Sequence, residues 1–353
     1  MSKQKQGLLI GALLFGWLGL TVYLAVGRGM APDPCLPQGS PPQQPPPQPP
    51  PQPPPKLPAP KRTTAQKAPL FPRFAKPFEF SVDFYGMIYR GTSSNLIDRH
   101  ILHFGAFEKD VLHFMDDTLQ ACARAKGIFV DVGANTGQHS LFMSRRALKV
   151  HAFEPYPPVL ARLRQLISLN KLQKKIVVHP VGLGRAKAEI PFHAPPQKNL
   201  GSGSFVSNFQ PGNKVVGTLP LVRGDDALTR ARVSHVDLIK IDIEGYEKPA
   251  LEGLKKTLVA SRPVVVLEVT MDPRHAETFK SAMELKAAFP KGYRFLRFVP
   301  TISRAASGIY QIIPFDFDFT YRGQRMLVAY PWQKDAQIPR RPTHNSSKAK
   351  ESK

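Results

Sequence analysis

Residues 7–26, built mainly of Leu, Ile, Ala, Phe, Trp, Val and Gly with Thr21 and Tyr23 among them, carry no charged side chain. After it, the apolar positions fall into short pieces. Ile128-Phe-Val-Asp-Val132 is compact and β-branched, the pattern of a buried parallel strand. It opens into Gly133-Ala-Asn-Thr-Gly137 and then a helical stretch, Gln138 to Arg146. Lys149–Phe153 reads as a second strand. Pro157–Asn170 has a helical period, with Val159, Leu160, Leu163, Leu166, Ile167 and Leu169 on one stripe. Further strands are expected at Ile176–His179, Val236–Ile241 and Pro263–Leu267. Strands alternating with helices, the first pair joined by a glycine turn, predict an α/β fold: a Rossmann-like, doubly wound, mostly parallel sheet.

Composition divides the chain. Of its 353 residues 37 are proline, crowded between Pro32 and Pro60 with glutamine as company. Such a stretch cannot bury a core and is expected to be an extended, disordered stalk. The organisation read from this is a short N-terminus (1–6), a membrane helix (7–26), a stalk (27–69), one folded domain (70–332) and a basic tail (333–353). An apolar helix of that length rises about 30 Å, enough to cross the hydrocarbon core, and is longer than most cleavable signals. Lys3 and Lys5 precede it and Arg28 and Asp33 follow, so the flanking charge puts the N-terminus in the cytosol and the domain across the membrane. Gly7-x-x-x-Gly11 is a weak helix-packing pattern. Cys35 and Cys122 lie in unlike settings and read as two free thiols. The net charge of +23 is scattered, without interleaved aromatics, and suggests attraction to an anionic surface rather than sequence readout.

The candidate chemistry sits at strand ends. A tight glycine turn lets a ligand approach the backbone over the first strand, and Glu154 closes the second, where an acid can accept both hydroxyls of a ribose. The dinucleotide fingerprint G-x-G-x-x-G is absent and no Walker lysine follows. Asp242 and Glu244 follow the fourth strand and Glu268 the fifth.

Val130-Asp-Val-Gly-Ala-Asn-Thr-Gly-Gln-His-Ser140, Ala152-Phe-Glu-Pro155 and, most specifically, Lys240-Ile-Asp-Ile-Glu-Gly-Tyr-Glu-Lys-Pro-Ala-Leu-Glu-Gly253 resemble the motifs of the FkbM family of S-adenosylmethionine-dependent methyltransferases. The resemblance implies a class I methyltransferase fold with S-adenosylmethionine as cofactor. It places Asp131, Gly133, Asn135 and Gly137 along the methionine and ribose, Glu154 on the ribose diol, and Asp242 and Glu244 facing the methyl group and the acceptor. Arg223-Gly-Asp225-Asp226 departs from the family's T-L-D, and His179-Pro-Val-Gly182 stands where relatives carry an acid for adenine, which leaves adenine to backbone groups. For a hydroxyl acceptor the base candidates are Asp242, Glu244 and Glu268, ahead of His139 and His275. The family implies O-methylation of a hydroxyl-bearing acceptor, of the carbohydrate kind, which with the anchor suggests a Golgi-like luminal enzyme. Asn345-Ser-Ser347 is a glycosylation triplet. Two other readings are a nucleic-acid methyltransferase, which would carry an N/D-P-P-Y/F loop where this chain has Asp242-Ile-Glu-Gly245, and a non-catalytic protein of the same fold.

Overall fold

The computed structural model describes residues 76–123, 127–195, 200–299, 307–316 and 323–342. The expected anchor, stalk and glycosylation triplet lie outside them, as does Cys35. Among the described residues no helix is long and apolar enough to cross a membrane.

A hairpin of β1 (Glu79–Phe84) and β2 (Met87–Thr92) leads into helices α1 (Leu96–Phe104) and α2 (Lys109–Cys122). Then come β3 (Ile128–Val132), α3 (Gln138–Ser144), β4 (Lys149–Phe153), α4 (Pro157–Leu169) and β5 (Ile176–His179). A small sheet follows, of β6 (Gly182–Leu183), β7 (Ala188–Ala194) and β8 (Lys214–Val222). The chain returns through α5 (Gly224–Arg230) to β9 (Leu238–Ile241), then α6 (Glu247–Gly253), α7 (Lys255–Ser261) and β10 (Val264–Met271). Helix α8 (Ala282–Ala287), β11 (Tyr293–Phe298), β12 (Ile312–Pro314) and β13 (Gly323–Pro331) complete it.

The main sheet runs β12-β11-β13-β10-β9-β3-β4-β5. From β10 to β5 every pairing is parallel, whereas β13 pairs antiparallel with both β10 and β11, and β12 antiparallel with β11. The sheet is therefore mixed, with four parallel pairings and three antiparallel ones, because the last strand inserts between β10 and β11. For the same reason Glu268 does not end the fifth strand. Pairing with β13 carries β10 on to Met271, and Glu268 faces Met326 in mid-strand.

Alternate residues of the central strands enter two cores. Phe129, Val150 and Ala152 pack beneath α2, α3 and α4; Val130, Val132, Ile239 and Ile241 pack on the other side with Leu251, Leu254 and Leu258. Burial on both faces is why these strands read as continuous apolar runs. Strand order reverses beside β3, with β4 on one side and β9 on the other, and the crevice at that switch point is where open α/β sheets bind ligands.

Two interactions tie the flanks to this frame. The fully buried Asp98 accepts from the Tyr89 hydroxyl at 2.8 Å and from the Thr92 amide at 2.8 Å, and pairs with Arg162 of α4 at 2.7 Å. The described chain continues past Trp332 to residue 342. A 3₁₀ turn, Trp332–Gln337, buries Ile338, while Arg340 pairs with Asp335 at 2.9 Å and the Arg341 carbonyl accepts from Tyr310. Arg340 and Arg341, read from sequence as tail charges, thus belong to the fold.

Asp98→Ala leaves Arg162 and the Tyr89 hydroxyl without their acceptor in a buried site. It is expected to cost about 3–5 kcal/mol in a urea unfolding titration, and a loss below about 1 kcal/mol would show that the network is dispensable.

Candidate functional site

The turn after β3 is shaped by what it must clear. Gly133 has φ +80°, and a Cβ there would stand 2.0 Å from the Asp242 carbonyl oxygen. That backbone is close because the Asp242 amide continues the β3–β9 ladder by donating to the Val132 carbonyl at 3.1 Å. The two segments singled out from sequence therefore meet at the switch point. Around them lies a cleft lined by, among others, Gly133, Asn135, Glu154, Asp242, Glu244 and Glu268.

Not every predicted residue reaches its wall. Asp131 is fully buried behind it, with Oδ2 accepting from Ser140 at 2.7 Å. Gly137 also stays off the lining; a Cβ added there would stand only 2.4 Å from Leu163 Cδ1 of α4. His275 and Asp225 lie elsewhere. Asp225 accepts from the Lys256 and Thr257 amides, so it holds the start of α7.

Glu154 is held by backbone: one oxygen accepts from the Asn135 amide at 3.0 Å, the other from Tyr156 at 2.9 Å. Tyr156, Phe192 and Phe205 form an aromatic flank nearby, with ring centroids 5.2 and 5.0 Å apart in succession, and Gly182 and Leu183 offer backbone and an apolar surface beside it. His179 does not line the cleft; it stacks on Phe153 at 4.2 Å.

The other end is acidic. Lys240, 1% exposed, donates to Asp242 at 2.8 Å. Gln324 donates to Glu244 at 3.1 Å and to Glu268 at 2.9 Å, and Gln210 donates to Glu244 at 3.1 Å. Glu247 accepts from the Ile243 and Gly245 amides and so closes the turn that presents Glu244. Glu108, from the junction of α1 and α2, completes this end together with His139. Three lining residues, Glu108, Asn135 and Glu244, hold left-handed backbone at φ 50°, 53° and 54°. Such conformations are costly for non-glycine residues and gather at functional sites.

Electrostatics follow from crowding. Burial raises Glu154 to about 7, against the pull of its two amide donors. Burial, then Asp242, raises Glu244 to about 7. Burial with Asp242 and Glu244 pushes Glu268 up to about 10. Burial works against the Lys240 ammonium, but Asp242, Asp131 and Glu108 outweigh it and hold its pKa above the ordinary value. Burial and Lys240 keep His139 well below the ordinary histidine value, hence neutral.

Sequence reading missed Glu108, Gln210, Gln324 and the aromatic flank, and gave Lys240 no role. Glu108, Gln210 and Gln324 stand in no recognisable motif; only the fold brings them to the cleft. Lys240 did carry a signal, a lysine inside an apolar strand two residues before an aspartate.

Residues 131–295 match the family model for the methyltransferase FkbM domain. The chain carries an FkbM methyltransferase domain. It is 25% identical over 185 residues to the Hexuronic acid methyltransferase AglP of Haloferax volcanii, covering 52% of this chain and 72% of that protein. It is 27% identical over 195 residues to Methyltransferase 1 of Beauveria bassiana, covering 50% and 74%. Among solved structures it is similar to the methyltransferase FkbM from Methylobacillus flagellatus (18% identity, TM-score 0.36), of which the chain spans only 44%, and 58% of this chain is covered.

The cofactor of an FkbM methyltransferase domain is S-adenosylmethionine, and the cleft fits it. Gly133 leaves the room that a Cβ would fill, Glu154 offers carboxylate oxygens of the kind a ribose diol needs, and the aromatic flank suits a base.

Because Glu154 and Glu244 sit near 7, both are largely protonated at pH 6 and ionised at pH 8. The cofactor carries net positive charge, so its affinity is expected to rise by roughly tenfold between those pH values, with proton release on binding. Calorimetry in two buffers of different ionisation enthalpy measures both; tighter binding at pH 6 would contradict the assignment.

Proposed function

We propose that this methyltransferase transfers the methyl group of S-adenosylmethionine to a hydroxyl of a carbohydrate acceptor. The observation that carries the reading is the acidic end of the cleft, where Asp242, Glu244 and Glu268 present carboxyl oxygens beside the amides of Gln210 and Gln324. Carboxyl and amide groups side by side are the acceptors and donors that a polyhydroxyl ligand can satisfy. The relative named as a hexuronic acid methyltransferase supports a carbohydrate, and the loop that would mark an exocyclic-amine methyltransferase is replaced by Asp242-Ile-Glu-Gly245.

The bound cofactor supplies an electrophilic methyl carbon on a sulfonium. What the protein contributes is alignment, since in-line placement of acceptor oxygen and methyl carbon is where much of the rate originates. Lys240 fixes Asp242 at the switch point, and Gln324 spans Glu244 and Glu268, so three acids keep set directions. The apolar segment 7–26 and its flanking charges support a domain on the luminal side of a Golgi-like membrane, where the cofactor would have to be supplied across the bilayer.

Incubation with methyl-labelled cofactor and neutral methyl glycosides is expected to yield a methyl ether detectable by mass spectrometry. Asp242→Asn, which weakens the hold of Lys240, is expected to lower turnover by about 10²-fold. Cofactor binding without transfer to any hydroxyl would overturn the reading. On sealed vesicles the domain should resist protease until detergent is added; digestion without detergent would place it in the cytosol.

A further inference from the structure

The acids after β9 and on β10 already have hydrogen-bond donors: Lys240 on Asp242, Gln210 and Gln324 on Glu244, Gln324 on Glu268. Glu108 differs. Its Oε2 is buried with no hydrogen-bond partner among the described residues. The nearest basic nitrogen, His139 Nε2, is 3.5 Å away, likewise without a hydrogen-bond partner.

The backbone explains why this carboxyl faces the cleft. Glu108 occupies the N-cap position of α2, where a polar side chain ordinarily folds back to accept from the helix's first amides. Here φ is 50° and ψ 48°, and the side chain makes no capping bond. It points into the cleft instead. The residue before it is clamped: Gln138 accepts from the Phe107 amide and donates to the Phe107 carbonyl, both at 2.8 Å. A strained backbone held in place by a two-point clamp is a local arrangement that packing alone does not require.

We propose that Glu108 is the general base that takes the proton of the acceptor hydroxyl. The proposal rests on the hydroxyl-methylation reading above. In the step, the acceptor O–H bond breaks and its proton moves to Glu108. The acceptor oxygen bonds the methyl carbon while the methyl–sulfur bond breaks, its electron pair staying on sulfur. Glu108, neutral after transfer, loses the proton to solvent in the open cleft. Charge balances: a sulfonium cation is consumed and a proton released.

The surroundings tune the group for this task. Burial, then Asp242, raises Glu108 to about 8; Lys240 opposes, and Asp110 and Glu244 add to the rise. Glu268 of β10 faces the same space, and His139 of α3 stays neutral and so does not quench the carboxylate by ion pairing. A base must be ionised to act. With a pKa near 8, the rate should climb about tenfold per pH unit below that value and level off above it. Glu108 also lies outside residues 131–295, so the base comes from a part of the chain that the family model does not cover.

The test compares wild type, Glu108→Gln and Glu108→Asp, with methyl glucoside and methyl galactoside as acceptor probes from pH 5.5 to 9.5. Glutamine keeps the shape and is expected to bind S-adenosylmethionine and melt as wild type does, lose about 10²–10⁴-fold in turnover, and lose the rising limb. Aspartate should restore part of the limb. Independently of turnover, burial also raises Glu247 to about 8, so the readout is the difference between cofactor-free wild type and Glu108→Gln: it should hold one protonated-carboxyl infrared band that disappears near pH 8, beyond the Glu247 band common to both. A glutamine variant that keeps both the rate and the rising limb overturns the assignment and leaves hydroxyl methylation standing. Wild type that binds cofactor yet methylates neither probe nor any other hydroxyl overturns that reading and this base with it.

Discussion

The site depends on one buried cation. Lys240 lies inside a strand between β3 and β10, faces Asp131 across the ladder and reaches Asp242 at 2.8 Å. Without it, Asp131, Asp242, Glu108 and Glu244 would press like charges into a space from which water is largely excluded, and the acids would neutralise by taking up protons. With it, an acidic cleft can exist in a protein whose net charge is +23. The ammonium does not compensate all of them. That shortfall holds several carboxyls near neutral pKa values, poised to respond to a cationic cofactor or to a proton leaving an acceptor.

The frame around this cation was legible because its residues leave little choice. β3, β4 and β5 were legible as short apolar runs, since a strand covered on both faces is built mostly of apolar side chains; polar ones admitted to the central strands, Asp131, His151 and Lys240, have hydrogen-bond partners. The glycine turn and Glu154 were legible for a similar reason: a tight approach to Asp242 demands a residue without Cβ. What escaped was tertiary. Nothing local says that β13 enters between β10 and β11, so the sheet read as more parallel than it is and Glu268 read as a strand end. Gly137 read as a ligand contact, although its close neighbour is Leu163. Glu108 has no motif, because its direction depends on the Gln138 clamp.

The cleft is consequently made of two kinds of material. The cofactor end comes mostly from residues inside the stretch shared with the FkbM domain. The acidic end draws its three central acids from the same stretch, with Glu108 added from before it and Gln324, which donates to Glu244 and Glu268, from after it.

The left-handed backbone at Glu108, Asn135 and Glu244 carries a consequence for how this protein tolerates change. At Glu108 and Glu244 this costs about 1–2 kcal/mol relative to a relaxed conformation, and less at Asn135, since asparagine visits the region routinely. A glycine at Glu108, whose side chain caps nothing, would relieve that strain while removing a carboxyl from the cleft. Screens for thermal tolerance alone will therefore favour sturdier, less active descendants, and heat resistance gained elsewhere in the chain is the kind that leaves the enzyme working.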